Sequence, residues 1–337
     1  MTRSVWTAAA KAAALEYGGE AAVGERQLSL PQSRPKLGFA GLGWIGRHRM
    51  NAVVEAGLAE AAYTCDIDTP LTYEDLLESD AEGIVIATPS AMHAEQAIRA
   101  LEKGKAVFCQ KPLGRNAEET KKVVEAAKSN DRLLGVDLSY RHTAAMQAVK
   151  QLTGEIGEIH AIDLVFHNAY GPDKPWFYDA KQSGGGCVID LGIHLVDLAL
   201  WTLDFPEVRN IHARLHHHGG HDVEDYATAM MDAGNATMQL ACSWNLSAGK
   251  DAEIRAVFYG RDGAAAFRNV NGSFYDFVAE HCTKTQSRQL TEPGDAWGGK
   301  AIIAWAGKLA ESPAFDPEIE HVAGVAEVLD AIYRSGR

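Results

Sequence analysis

The stretch KLGFAGLGWIG, Lys36 to Gly46, constrains the fold more than any other. A short apolar run leads directly into Gly41-x-Gly43-x-x-Gly46. Such a run reads as a buried strand, and glycines at these three places permit a tight turn, a close backbone approach to a ligand and close helix–strand packing. The helix predicted from Trp44 to about Ala56 begins at the turn, where free N–H groups and the helix dipole favour an anion such as a pyrophosphate. A second apolar strand, AAYTCD, ends in Asp66, twenty positions after Gly46. A carboxylate there can bind both hydroxyls of an adenosine ribose. Gly41, Gly43, Trp44, Ile45, Gly46 and Asp66 are therefore candidate dinucleotide contacts. A ligand-free glycine turn in an ordinary α/β protein is the bland alternative, and the ordered set of strand, turn, helix, strand and acid weighs against it.

The pattern continues as strands near 83–88, 105–109 and 132–138, separated by amphipathic helices near 72–79, 91–103 and 116–129. Strands alternating with helices predict a parallel, doubly wound sheet. After about Arg141 a helix near 143–152, a strand near 159–166 and an apolar helix Val188–Trp201 lead into a run of strands near 208–216, 223–232, 236–244, 252–259 and 264–268. Short turns such as Gly219–Gly220 and Gly234–Asn235 separate several of these strands, which predicts an open antiparallel sheet with helices on one face. Helices near 298–311 and 317–334 finish the chain and have the option of packing back on the first domain. The expected organisation is an extension over 1–34 with an Ala-rich helix near Val5–Tyr17, a dinucleotide-binding domain over 35–141, and a substrate and oligomerisation domain over 142–337.

With 337 residues, 46% hydrophobic and 23% charged, the chain has enough apolar content for two cores. A net charge of −13 disfavours nucleic acid and anionic membranes, and no window reads as a membrane span. Five cysteines, odd in number and without a C-x-x-C pair, fit reduced thiols and a cytoplasmic location.

Chemistry concentrates in two places. The strand ending at Cys109 runs into Gln110, Lys111 and Pro112, and the strand before it ends in Thr88 and Pro89, followed by His93. Both reach the carboxyl edge of the sheet, where ligands bind. A surface role for Lys111, and a packing role for His93, are the alternatives. In GGGCVIDLGIHLVDLALW, Asp190, His194 and Asp197 recur at i, i+4 and i+7 and so share one face of an apolar helix. A buried imidazole held by a carboxylate is a poised base; a helix–helix hydrogen-bond cluster is the alternative. No third ligand has recognisable spacing, so no metal is expected, and the run HHHGGHD, His216–Asp222, reads as a solvated hairpin tip. Tyr140 and Arg141 follow the last parallel strand as candidate lining of a cleft, with Trp176 at its mouth, although aromatic packing is an equal reading.

In order and spacing, GLGWIG, IATPSAMHAEQAIRALEKGKAVFCQKPLGRN, GGGCVIDLGIHLVDLALW and VEDYATAMM resemble the Gfo/Idh/MocA oxidoreductases. The resemblance runs from Lys36 to about Phe267. It implies bound NAD(H) or NADP(H), sugar, polyol or inositol-type substrates, and catalytic roles for Lys111, Asp190 and His194. NAD-dependent glycoside cleavage, a cofactor-binding sensor and a degraded paralogue are the rival implications. Two departures stand out. The E-K-P of the family reads Gln110-Lys111-Pro112, and only IDTPL separates Asp66 from TYEDLLES, where the family has a helix and a further strand. The strand ending at Asp66 is therefore expected at the sheet edge. NAD is expected over NADP, since Asp66 would repel a 2′-phosphate and Ile67–Leu71 holds no basic residue. Both alternating faces of the later strands carry apolar residues, which predicts a homodimer or homotetramer through the second sheet.

Overall fold

The computed structural model describes residues 34–295 and 297–336; the expected Val5–Tyr17 helix lies outside them. The first half alternates as β1 (Lys36–Ala40), α1 (Trp44–Glu55), β2 (Glu60–Cys65), α2 (Tyr73–Glu78), β3 (Gly83–Ile86), α3 (Ser90–Glu102), β4 (Ala106–Cys109), α4 (Ala117–Ser129) and β5 (Leu134–Val136). The five strands form one sheet in the order β2-β1-β3-β4-β5 with every pair parallel. Strands β3 and β4 are buried at every residue, as strands covered on both faces must be. Strand β2 is the edge, partly exposed throughout. The short link from Asp66 to Thr72 leads straight into α2, whose start is fixed by reciprocal bonds between Thr72 and Asp75. From β2 the chain crosses β1 to reach β3, so the sheet order switches between β1 and β3. Ligands bind at such a switch point, outside the carboxyl ends of the strands.

The second half comprises α5 (Ala144–Leu152), β6 (Ile159–Asn168), α6 (Ala180–Ser183), α7 (Ile193–Thr202), β7 (Val208–His216), β8 (Tyr226–Ala233), β9 (Ala236–Ser243), β10 (Ala252–Gly260), β11 (Ala264–Asn269), β12 (Phe277–Thr283), β13 (Gln286–Gln289), α8 (Trp297–Glu311) and α9 (His321–Ser335). Its eight strands follow the order β13-β12-β11-β10-β6-β9-β8-β7. The sheet is mixed, which corrects the antiparallel expectation. Strand β6 lies between β9 and β10, antiparallel to β10 and parallel to β9. A strand inserted between two antiparallel neighbours must run parallel to one of them. Strands β12 and β13 escape the sequence pattern because β13 is wholly exposed and polar, and β12 loses its burial beyond Ala279.

Helix α8 returns to the first sheet. Ile302, Trp305, Ala306 and Leu309 pack with Leu37, Phe39, Val85 and Phe108, with the rings of Trp305 and Phe108 5.6 Å apart. Helices α7 and α9 join the larger core, which spans both sheets. The helical stretch Ala180–Thr202 is long and apolar enough by composition to cross a membrane, contrary to the sequence expectation, and 89% of its most apolar window is buried inside the protein. All five cysteines are free thiols.

Candidate active site

Lys111 and Asp190 meet at the carboxyl edge of the first sheet. The Lys111 ammonium donates to the Asp190 carbonyl at 2.6 Å and to its Oδ1 at 2.7 Å, and Trp244 Nε1 donates to Oδ2 at 3.0 Å. Both partners of the ion pair are about one-sixth exposed, 17% each, so a substrate can still reach them. Asp190 lies in a widened π turn, Val188–Gly192, immediately before α7. Glu224 anchors this turn: its carboxylate accepts from Gly186 N–H at 3.0 Å, Val188 N–H at 2.9 Å and the Tyr333 hydroxyl at 2.9 Å. Burial pushes the Glu224 pKa up against the pull of those donors.

Among the described residues no carboxylate hydrogen-bonds the His194 ring, so Asp190 does not orient it directly. Asp190 is occupied by Lys111 and Trp244, while Asp197 accepts two bonds from the Arg141 guanidinium. The π turn changes the angular spacing that a plain α-helix would give. His194 is instead buried against Tyr140, edge to face at 4.8 Å between ring centres. Burial first, then the positive charges of Lys111 and Arg49, hold its pKa well below the usual imidazole value. The ring is therefore neutral at neutral pH. Tyr140 also stacks on Trp297 at 5.4 Å, and burial pushes its phenol pKa up. Arg141, proposed from sequence as cleft lining, is committed to Asp197.

The glycine turn sits at the switch point. Gly41 adopts φ +89°, and a Cβ there would lie 2.6 Å from Ala87 backbone atoms; a Cβ on Gly46 would lie 2.0 Å from the Gly41 carbonyl oxygen. Only glycine fits either place. Over Gly43 the one near atom is the Lys174 ammonium, 3.3 Å from where a Cβ would stand. Gly43 caps α1 without a side-chain hydrogen bond, and the first turn of α1, which contains Trp44 and Ile45, carries no acid. An open cradle of backbone donors with a cation above it fits a dinucleotide pyrophosphate. Asp66 accepts from the N–H groups of Leu42 and Ile67, which places its carboxylate beside the turn.

Around this centre, Thr88 Oγ1 donates to Gln96 Oε1 at 2.6 Å, and Pro89 precedes the first turn of α3. His93 is buried with its two ring nitrogens 2.7 Å from the carbonyl oxygens of Pro112 and Thr88. As a neutral ring it donates to one of these carbonyls, and both nitrogens are covered by backbone, leaving neither free for a cofactor. Gln110 is bonded to Asp137. Trp176 stacks on Phe177, which with Tyr178 packs against Trp244. The His216–Asp222 run is an exposed turn, and no cluster of three potential metal ligands occurs among the described residues.

Sequence reasoning missed Trp244, Lys174, Asp137 and Arg49. Trp244 and Asp137 reach the site from strand ends and Lys174 from a loop, while Arg49 sits on α1 itself but engages Asp137 across the sheet, so no local spacing announces any of them.

A parallel dinucleotide-type sheet joined to a broad mixed sheet, with lysine, aspartate and histidine gathered at the strand edge that also carries the glycine turn, defines a class of two-domain oxidoreductases. The chain belongs to the Gfo/Idh/MocA oxidoreductase family: residues 55–138 match the NAD-binding Rossmann-fold domain and residues 144–266 the C-terminal domain. D-glucoside 3-dehydrogenase of Escherichia coli is 29% identical over 141 residues, 41% of this chain and 40% of that protein. Levoglucosan dehydrogenase of Pseudarthrobacter phenanthrenivorans is 35% identical over 136 residues, 37% of this chain and 34% of that protein. The chain thus spans well under half the length of these two relatives in the matched regions. Among solved structures, the 3-ketoreductase KijD10 from Actinomadura kijaniata, in complex with NADP and TDP-benzene, superposes with a TM-score of 0.79 at 22% identity, covering 90% of this chain and 98% of that one. Levoglucosan dehydrogenase in complex with NADH gives 0.77 at 22% identity, covering 90% and 97%. These two likenesses establish the shared fold.

Proposed function

We propose that the protein is an NAD-dependent dehydrogenase or reductase acting on a CH–OH or keto carbon of a sugar, polyol or inositol-type substrate. The observation that carries this reading is the convergence of Lys111, Asp190 and His194 at the sheet edge that also holds the glycine turn. When bound, the nicotinamide supplies the redox chemistry by accepting or delivering a hydride. Lys111, held by Asp190, hydrogen-bonds the substrate oxygen and stabilises negative charge developing on it. His194, kept neutral by burial and neighbouring cations, accepts the hydroxyl proton in oxidation and returns it in reduction. Trp244 fixes the far oxygen of Asp190, and Lys174 balances the pyrophosphate charge. Asp66 favours NAD over NADP, because Ile67–Leu71 offers no cation to a 2′-phosphate. A second copy covers the outer face of the mixed sheet, where Val165, Met230 and Ala241 border a depression of about 580 Å³. Purified protein assayed by nicotinamide absorbance against a panel of sugars, polyols, inositols and their keto forms tests the activity. Turnover of at least one is expected, and inertness toward the whole panel with both cofactors would oppose it.

A further inference from the structure

Gln110 follows β4 and donates its backbone N–H to Ile86 at the end of β3, at 2.8 Å. It immediately precedes Lys111, and Ala87, the residue after Ile86, lies against Gly41 of the glycine turn, so Gln110 stands on the same strand edge as both. One strand over, Asp137 follows β5 and is almost completely buried. Its Oδ2 accepts from the Gln110 amide and from Arg49 Nε at 2.6 Å, and its Oδ1 accepts from the Ser139 hydroxyl. Arg49 is itself buried, donates to Ser139 Oγ at 3.2 Å, and lies 5.3 Å from the centre of the Trp297 ring.

A glutamine amide has a donor end and an acceptor end, and a free one presents either. A carboxylate paired with a buried guanidinium offers only lone pairs, so the Gln110 amide must turn its NH2 toward Asp137. Its carbonyl oxygen is the end left over, and it makes no hydrogen bond to any described residue. We infer that Asp137 is a positioning residue: it fixes the Gln110 side chain so that its carbonyl oxygen, as an obligate acceptor, meets a hydroxyl of the ribose on the nicotinamide side. This inference rests on the dinucleotide reading above.

A carboxylate at position 110 would accept a ribose hydroxyl equally well in isolation. Here it would face Asp137 across the same contact, and two carboxylates so close repel each other. The pocket accommodates one acid, and that acid follows β5 rather than β4. The effect of a glutamate at 110 should therefore depend on residue 137.

The test is a double-mutant cycle on the full chain, read by NADH fluorescence titration and by thermal melting without cofactor. Asp137→Asn frees the amide and should raise the Kd for NADH about three- to tenfold. Gln110→Glu should raise it by more than about tenfold and lower Tm. The exchange Gln110→Glu with Asp137→Asn should recover Kd to within about threefold of wild type and recover Tm, because one acid and one amide again share the contact. Wild-type-like NADH affinity in Gln110→Glu alone, or an exchange variant no tighter than Gln110→Glu, would overturn the inference. Should Gln110→Glu fail to fold, folding of the exchange variant supports the pairing, and failure of the exchange variant where Asp137→Asn alone folds refutes it, since both lack the Asp137–Arg49 ion pair. Absence of NADH binding by the wild-type protein would sink the dinucleotide reading, while the melting cycle independently reports whether residues 110 and 137 are coupled.

Discussion

Lys111 and His194 are assigned to the substrate oxygen, so their loss should appear in turnover. Lys111→Ala and His194→Ala should each lower kcat about 10²- to 10⁴-fold while leaving the Kd for NADH within a fewfold of wild type. Near-wild-type turnover in either variant would remove that residue from the proposed mechanism. The depressed pKa of His194 has a second consequence. In the unfolded chain an imidazole titrates near about 6.5, while in the native protein it stays neutral to lower pH. The unfolded state therefore binds more protons between those two values, so stability is complete above about pH 6.5 and falls as pH drops below it. His93 and His48, also depressed chiefly by burial, act in the same direction. Glu224 and Asp197, whose pKa values burial raises, act in the opposite direction, so the loss of Tm between pH 7.5 and pH 5.5 should be smaller in His194→Ala than in the wild type, and an equal loss would contradict the neutral buried assignment.

Among the elements, those with strong local periodicity were legible in the sequence. The five strands and four helices of the first sheet fall within a few residues of their expected positions, because each strand is a short apolar run bounded by an amphipathic helix. The mixed sheet was less legible. The place of β6 between β9 and β10 is decided by packing far along the chain, and β13 carries only polar residues. The same limit held at the site. Gly41, Gly46 and Lys111 announce themselves through a motif and a strand end, whereas Trp244 and Asp137 reach Asp190 and Gln110 through tertiary contacts, and the π turn at 188–192 altered the relation of His194 to Asp190. Lys174, on the loop after β6, brings a cation from the second half of the chain to the turn before α1. Lys174→Ala should weaken NADH binding about two- to fivefold, a modest effect because the side chain is exposed, and should reduce the salt dependence of that binding. Unchanged affinity and salt dependence in a titration from low to high ionic strength would remove it from the cofactor site.

The glycine turn lies on one sheet and Asp190, His194 and Trp244 on elements of the other, so the proposed reaction draws on both halves. Helix α8 fastens them by crossing back to bury Trp305 against Phe108. The outer face of the mixed sheet is amphipathic rather than uniformly apolar: Met230 is 51% exposed, beside Thr228 and Gln239. Pairing of two such faces predicts an assembly of at least twice 36.4 kDa by light scattering at micromolar concentration. A monodisperse monomer would refute it.

Everything proposed about the chemistry depends on a dinucleotide lying across Gly41, Gly43 and Gly46 with Asp66 at its adenosine end. Fluorescence titration of the wild-type protein with NADH and NADPH, alongside Gly46→Val, measures this directly. Saturable binding of NADH, weaker binding of NADPH, and loss of both in a folded Gly46→Val variant are the predicted results, since its added side chain would collide with the Gly41 carbonyl. No binding of either nucleotide by the wild-type protein would contradict the assignment, and tighter binding of NADPH than NADH would contradict the role given to Asp66.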